Sequence, residues 1–246
     1  MTGVPTIVRE SFDLNATPKC CSYLVHLLME QRKKISILLA DDLTLIREGI
    51  ASLCEATGLY AVTDQCGDGA TALERIETNK PEMAILDLNL PRLFSLEIVR
   101  KVRELGLSTR ILVLSSRGDR KLVLESLRNG ANGFLLKSST AAQLLDALLQ
   151  IMAGGIYVSP EMELEKIFIA HRKNDSSDPL ESLSSREYQV FSLLIDGIRA
   201  KEIAARLDLS PKTVDTYRAS LMRKLDIYDL PGLVKFAIQR DLTSVA

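Results

Sequence analysis

From Ile35 onward the chain alternates short apolar runs with stretches whose apolar residues recur at helical spacing. The runs are Ile35–Ala40, Tyr60–Thr63, Met83–Leu86, Ile111–Leu114 and Gly133–Leu136, a recurrence of about 25 residues that reads as five strands. The stretches Leu43–Thr57, Gly69–Asn79, Ser95–Leu105, Asp119–Asn129 and Thr140–Ala153 read as the helices between and after them, with Leu122, Leu124 and Leu127 marking one buried stripe. Strands of nearly continuous apolar character separated by helices predict a parallel sheet covered on both faces, joined by right-handed crossovers. The expected fold of this half is a five-stranded, doubly wound, flavodoxin-like α/β domain.

The pattern then changes. Gly154-Gly155 closes the last helix, and Pro160 to Pro179 is rich in charge, Ser and Asp, as a linker would be, with room for a helix over Glu161–His171. Ser184-Ser185-Arg186-Glu187 has the spacing of a capping box, predicting a helix that runs to Asp196 and stops at Gly197. A second helix is expected over Ala200–Leu207. Ser210-Pro211 opens a third, with Ser as N-cap and Pro in the first turn, and Asp229-Leu230-Pro231 begins a fourth. The chain is thus predicted to be all-helical beyond residue 184. Residues 1–34 lack sustained periodicity, and a second methionine, Met29, precedes the first strand, so this segment reads as an extension or as an upstream start assigned in error.

Composition narrows the picture modestly. At 246 residues, two modest domains fit better than one. Overall charge is nearly balanced, 31 Lys and Arg against 32 Asp and Glu, although residues 184–246 carry ten basic and eight acidic side chains. The four cysteines, Cys20, Cys21, Cys54 and Cys66, match neither a zinc site nor a disulfide framework, which suits a reducing cytosol. His26 and His171 lack the partners a metal site would need. The longest apolar stretch, Tyr23 to Met29, is far short of the roughly 20 residues of a membrane span. It is followed by Arg32-Lys33-Lys34 rather than a cleavage site, so neither membrane association nor export is expected.

The chemistry-bearing residues fall at strand ends. Asp41 and Asp42 follow the first strand, Asp87 ends the third, Ser115 follows the fourth and Lys137 follows the fifth. In a parallel sheet these carboxyl ends converge on one edge, where such folds bind ligands. Three carboxylates there repel one another unless a cation joins them, and Mg²⁺, a hard ion that binds through one or two carboxylates plus phosphate, suits the set. A carboxylate nucleophile, a metal, a hydroxyl and an ammonium are the parts of a phosphoryl-transfer site, with Asp87 becoming a mixed anhydride. One acidic strand end by itself more often caps a helix; five such residues at the proper ends are a different matter.

With those residues in place, 35–153 resembles the CheY-like receiver domain of two-component response regulators. The resemblance implies that Asp42 and Asp87 ligate Mg²⁺ directly, Asp41 through water, and the Asn89 carbonyl as well. It further implies Ser115 as the switch hydroxyl, Phe134 as an aromatic that turns inward on phosphorylation, and Lys137 as the phosphate partner. Leu90-Pro91 also fits. Ser95 stands where the family usually has Gly, which suggests a reshaped loop because Gly is favoured at positive φ, and Leu43 stands where many members have His.

Glu202–Leu207 followed by Leu209–Val214 reads as helix, tight turn, helix, with Ala204 and Ala205 permitting a close crossing. That is the helix-turn-helix pattern, whose second helix enters the major groove. Val214, Tyr217 or Arg218, Leu221 and Leu225 form its inward stripe, leaving Lys212, Asp215, Thr216, Ala219, Ser220 and Arg223 outward. Lys212, Thr213, Arg218, Arg223 and Lys224 suit phosphate contacts, whereas Thr216 and Ala219 suit small or apolar contacts to base edges. Residues 183–242 closely resemble the LuxR-type DNA-binding domain, and with the receiver they match the NarL/FixJ family. The implied domains are a receiver over 35–158, a linker over 159–182 and a DNA-binding domain over 183–246. The implied protein is a cytoplasmic transcription factor phosphorylated on Asp87 by a sensor histidine kinase. It binds double-stranded DNA as a homodimer formed by its fourth helix, Gly232–Gln239, and catalyses only its own phosphorylation and dephosphorylation. In family terms the unphosphorylated receiver masks the reading helix. Asp215 stands where relatives often carry Lys or another polar residue, so the resemblance does not carry over a base preference.

Three other readings are weaker. DNA binding independent of phosphate would require a receiver that has drifted at Ser95. A phosphatase with an aspartyl-phosphate intermediate needs a second acid two residues after the nucleophile, where this chain has Asn89. A quorum-sensing LuxR regulator lacks the acidic cluster.

Overall fold

The computed structural model describes residues 33–162, 179–240 and 242–243. Most of the extension over 1–34, and the linker helix expected over Glu161–His171 beyond Met162, lie outside them. The first half has the order β1 (Ile35–Ala40), α1 (Thr44–Ala56), β2 (Tyr60–Cys66), α2 (Gly69–Asn79), β3 (Met83–Asp87), α3 (Ser95–Glu104), β4 (Arg110–Ser115), α4 (Arg120–Arg128), β5 (Gly133–Leu136), α5 (Ala141–Met152) and β6 (Tyr157–Val158). All pairings are parallel, in the order β2-β1-β3-β4-β5-β6. The sixth strand was not anticipated. Two residues are too short to show a period, and Tyr157-Val158 becomes a strand only because Gly133 and Phe134 of β5 lie beside it.

Alternation along each strand sends neighbouring residues to opposite faces of the sheet. Ile37, Leu39, Ile85, Leu112 and Leu114 pack with Ala51 and Cys54 of α1 and with Leu144, Leu148 and Ile151 of α5. Leu38, Ala40, Ala84, Leu86, Ile111 and Val113 meet α2, α3 and α4 on the other face. Because both neighbours of a strand residue are buried, the strands read as continuous apolar runs. Arg103 ties the bottom of this layer together, donating from its guanidinium to the carbonyls of Gly130, Leu107 and Thr109 and to Asn132 Oδ1 at 2.9–3.2 Å.

The second half comprises α6 (Ser185–Ile195), α7 (Ala200–Leu207), α8 (Pro211–Leu225) and α9 (Leu230–Ile238). The capping box forms as expected: the Ser184 hydroxyl accepts from the Glu187 N–H, and the Glu187 carboxylate accepts from the Ser184 N–H at 2.6 Å. Gly197, at φ +77°, turns the chain out of α6. Asp208 and Asp226 end α7 and α8 in the left-handed conformation, which Asp tolerates better than most residues. The contact pattern makes the chain from Ile35 onward one unit, and the core over α3 and α4 continues into Leu183, Tyr188, Phe191 and Leu194 of the helical half. No helix among the described residues is long and apolar enough to cross a membrane.

Candidate functional site

The sheet brings the five predicted residues to one edge. Asp41 follows β1 and is fully buried, Asp42 beside it is exposed, and Asp87, the last residue of β3, is 6% exposed. Each of the three offers a carboxylate oxygen, and those oxygens lie within 4.8 Å of one another. Lys137, just past β5, sets its Nζ between two of them, 2.7 Å from Asp41 Oδ2 and 2.9 Å from Asp87 Oδ1. Ser115, at the end of β4, is buried, and its Oγ accepts a hydrogen bond from the Arg117 N–H at 3.1 Å. Asn89 is exposed beyond Asp87.

The electrostatics of this edge are those of a site short of positive charge. Burial pushes Asp87 up to about 6; Lys137 opposes this, and Asp41 and Asp42 reinforce it. Burial by itself would lower Lys137, but the Asp87 and Asp41 carboxylates outweigh it and hold its ammonium above the ordinary range. Asp41 Oδ2 accepts no well-formed hydrogen bond beyond its ion pair, while Asp41 Oδ1 accepts from the Leu43 N–H at 2.9 Å. A buried carboxylate oxygen so placed, with two further carboxylates in reach, is the donor set of a hard divalent cation. The residues present therefore fit Mg²⁺.

One expectation changes. Ser95 does not occupy a left-handed position: the positive φ of that loop, +66°, falls on Arg92. Ser95 is instead the first residue of α3, fully buried, and its hydroxyl donates to the Asp87 backbone carbonyl, so the side chain ties down the acceptor strand rather than distorting the loop. Glycine is needed elsewhere, at Gly69, where an added Cβ would come within 1.9 Å of the Leu93 carbonyl oxygen of this loop. Phe134 is fully buried in the core, the inward position that the resemblance assigns to it.

In the helical half, Lys212, Asp215, Thr216, Ala219 and Arg223 of α8 are exposed, Thr213 and Arg218 are half-buried, and Tyr217 takes the inward stripe. Two residues expected at DNA, the half-buried Ser220 and the exposed Lys224, are engaged within the protein. Ser220 Oγ donates to Glu187 Oε1 at 2.7 Å, and Lys224 Nζ donates to Glu187 Oε2 at 2.6 Å and to the Ser182 carbonyl at 3.0 Å. Glu187 is a capping residue in sequence, and only the crossing of α6 with α8 shows that its buried carboxylate also orients the reading helix. Burial would raise its pKa, but Lys224, Ser184 and Ser220 outweigh that and bring it down to about 2. The receiver half does not lie over the outward face of α8, contrary to the masking expected from the family; it packs against α6, in which every residue from Glu187 to Ile195 is buried.

An acidic α/β edge built for phosphoryl chemistry, followed by a helix-turn-helix, defines a class of regulator. Residues 37–149 match the response regulator receiver domain family, and residues 181–237 match the luxR family of bacterial regulatory proteins. The chain is 35% identical over 206 residues to a putative transcriptional regulator of Pseudomonas aeruginosa, covering 84% of this chain and 98% of that protein. It is 31% identical over 214 residues to the oxygen regulatory protein NreC of Staphylococcus carnosus, covering 85% and 99%. The fold is shared with RcsB of Salmonella enterica serovar Typhimurium, solved bound to the rprA promoter, at a TM-score of 0.62 and 23% identity over 87% of this chain and the whole of that one. The chain belongs to the two-component response regulators with a receiver domain and a luxR-type DNA-binding domain, and is thus a phosphorylation-regulated transcription factor rather than a typical enzyme.

Proposed function

We propose that Asp87 is the phosphoacceptor, with a sensor histidine kinase as donor. The observation that carries the reading is the Lys137 ammonium lodged between Asp41 and Asp87, with Asp42 beside them and Ser115 on the adjoining strand. An Asp87 carboxylate oxygen attacks the phosphorus of the donor in line. An O–P bond forms as the donor's P–N bond breaks, and the electron pair leaves with the donor nitrogen. Lys137 then pairs with a phosphoryl oxygen, and the Ser115 hydroxyl donates to another. Asp42, Asp87 and the Asn89 carbonyl would hold Mg²⁺ directly and Asp41 through water; the ion supplies charge neutralisation during transfer. The only chemistry assigned to the receiver is its own phosphorylation and dephosphorylation.

The receiver is assigned to 35–158, the linker to 159–182 and the DNA-binding domain to 183–246. Lys212, Thr213, Arg218 and Arg223 serve phosphate contacts on double-stranded DNA, and Asp215, Thr216 and Ala219 face base edges. The inward bonds of Ser220 and Lys224 favour positioning α8 over touching DNA. An apolar groove along α9, lined by Leu230, Pro231, Val234 and Ile238, supports a homodimer through that helix, and the protein's place is the cytoplasm. Incubation with Mg²⁺ and acetyl phosphate should label the protein and tighten its hold on operator DNA. Labelling that survives Asp87→Ala would refute the assignment.

A further inference from the structure

The outward face of α8 has a definite supply of hydrogen-bonding groups. Lys212, Asp215, Thr216, Ala219 and Arg223 are exposed on it at helical spacing, while Val214, Leu221, Met222 and Leu225 bury the opposite face. In a helix-turn-helix the N-terminal part of the second helix meets the base edges. Asp215, Thr216 and Ala219 therefore form the centre of the face, with Lys212 and Arg223 at its two ends.

The central residues offer no donor. An ionised carboxylate only accepts hydrogen bonds. The Thr216 hydroxyl donates its proton to the Lys212 carbonyl at 2.9 Å, so toward DNA it shows a methyl group and oxygen lone pairs. Ala219 shows a methyl group, and the neighbouring Ser220 gives its proton to Glu187. The Asp215 carboxylate is also unengaged within the protein. Lys212 and Arg218 stand three residues to either side of it, yet among the described residues it has neither an ion pair nor a hydrogen bond.

A free carboxylate in the major groove adds negative charge to a duplex that already carries one phosphate charge per about 1.7 Å of its axis, and is unfavourable there unless a base donates to it. Guanine and thymine present only acceptors along that edge. Adenine presents its N6 amino group beside N7, whose lone pair repels a second acceptor. Cytosine presents its N4 amino group with no acceptor on the same base. The methyl groups of Thr216 and Ala219 suit the methyl group of thymine.

We propose that Asp215 is a specificity-determining residue: its carboxylate accepts from the N4 amino group of a cytosine in each operator half-site, with the methyl groups of Thr216 and Ala219 against an adjoining thymine. The inference rests on the reading that α8 enters the major groove and adds the base that this chain selects there. It also gives Asp215 two effects of opposite sign, since the same charge that recognises cytosine weakens the hold on every other sequence.

The test selects from a library of random duplexes with the full chain in Mg²⁺ and beryllofluoride and sequences the bound fraction for wild type, Asp215→Asn and Asp215→Ala. The side chain is exposed, so neither substitution disturbs the core. Wild type should enrich duplexes with a fixed C·G pair in each half-site, and replacing that pair should weaken its binding about tenfold, within the ordinary cost of one mismatched base pair. Asp215→Asn should move the preference to A·T, because an amide accepts from adenine N6 and donates to N7. Asp215→Ala should lose the preference at that position alone, and both variants should bind random duplexes more tightly than wild type does. The same enriched motif in all three proteins, or a base other than cytosine at the position the variants alter, would overturn the assignment. A wild-type chain that enriches no duplex would instead overturn the reading of α8 as a DNA-binding helix, so the two failures are distinguishable.

Discussion

Replacing Glu187 with Gln tests how the reading helix is held. The carboxylate accepts from the Ser184 N–H, Ser220 Oγ and Lys224 Nζ, all at 2.6–2.7 Å, and its side chain is 7% exposed. Its pKa is brought down from 4.5 to about 2; at about 1.4 kcal/mol per unit, this amounts to roughly 3 kcal/mol of folding stability at neutral pH. Because the folded value is depressed, that stability is complete above the unfolded value of 4.5 and is lost as pH falls toward 2. Gln keeps the shape and the bond to the Ser184 N–H but loses the charge that pairs with Lys224, a loss of about 2 kcal/mol. Urea unfolding at pH 7, followed by circular dichroism with hydrogen exchange over residues 185–225 to assign the transition, should show that deficit. At pH 3.5 the unfolded carboxyl is mostly protonated, and the gap between wild type and Glu187→Gln should narrow by about 1 kcal/mol. Groups common to both proteins cancel in that difference. A gap that stays constant from pH 7 to pH 3.5 would refute the account of Glu187.

Other outcomes follow from the same geometry. Asp87 is held up at about 6 from an ordinary 3.8, so its ionised form opposes folding, and the stability favoured by its protonated form is lost as pH rises through 6. In chelator at pH 7.5, Asp87→Asn should therefore raise the receiver's stability by about 3 kcal/mol, whereas added Mg²⁺ should raise the thermal midpoint of wild type more than that of the variant. Lys80 is exposed and ends α2 at φ +47°; Lys80→Gly should relieve left-handed strain and stabilise the protein by about 0.5–1 kcal/mol, and a lower midpoint would contradict this. Arg223→Ala should weaken binding to specific and random duplexes alike and reduce the salt dependence by about one counterion. Lys224→Ala should instead lower the unfolding midpoint, because its ammonium serves Glu187.

Periodicity and turn chemistry made most elements legible. Five strands, their helices and the four helices beyond residue 184 follow from local spacing, because a strand covered on both sides must be apolar throughout and a capping box must start a helix. The acceptor edge was legible for the same reason: once the strands are parallel, topology forces Asp41, Asp42, Asp87, Ser115 and Lys137 to one end. The second strand runs longer than its apolar stretch, to Cys66, because pairing with β1 rather than hydrophobicity sets its length.

What local pattern does not encode, the tertiary structure decided. Ser220 looks outward on a helical wheel and Lys224 looks suited to a DNA phosphate, yet a buried carboxylate from another helix claims them both. Ser95 replaces a family glycine without needing its φ, because the strained position is Arg92 and the hydroxyl finds the Asp87 carbonyl. The Arg117–Asp196 and Tyr188–Asp119 pairs between the two halves carry no motif, and their members lie 69 and more positions apart in the chain. The sequence by itself determined the chemistry at the sheet edge and the presence of a reading helix, since both depend on residue type at local spacing. Which face of the DNA-binding domain meets the receiver was decided by packing between distant segments, where complementarity of shape and charge has no period to read.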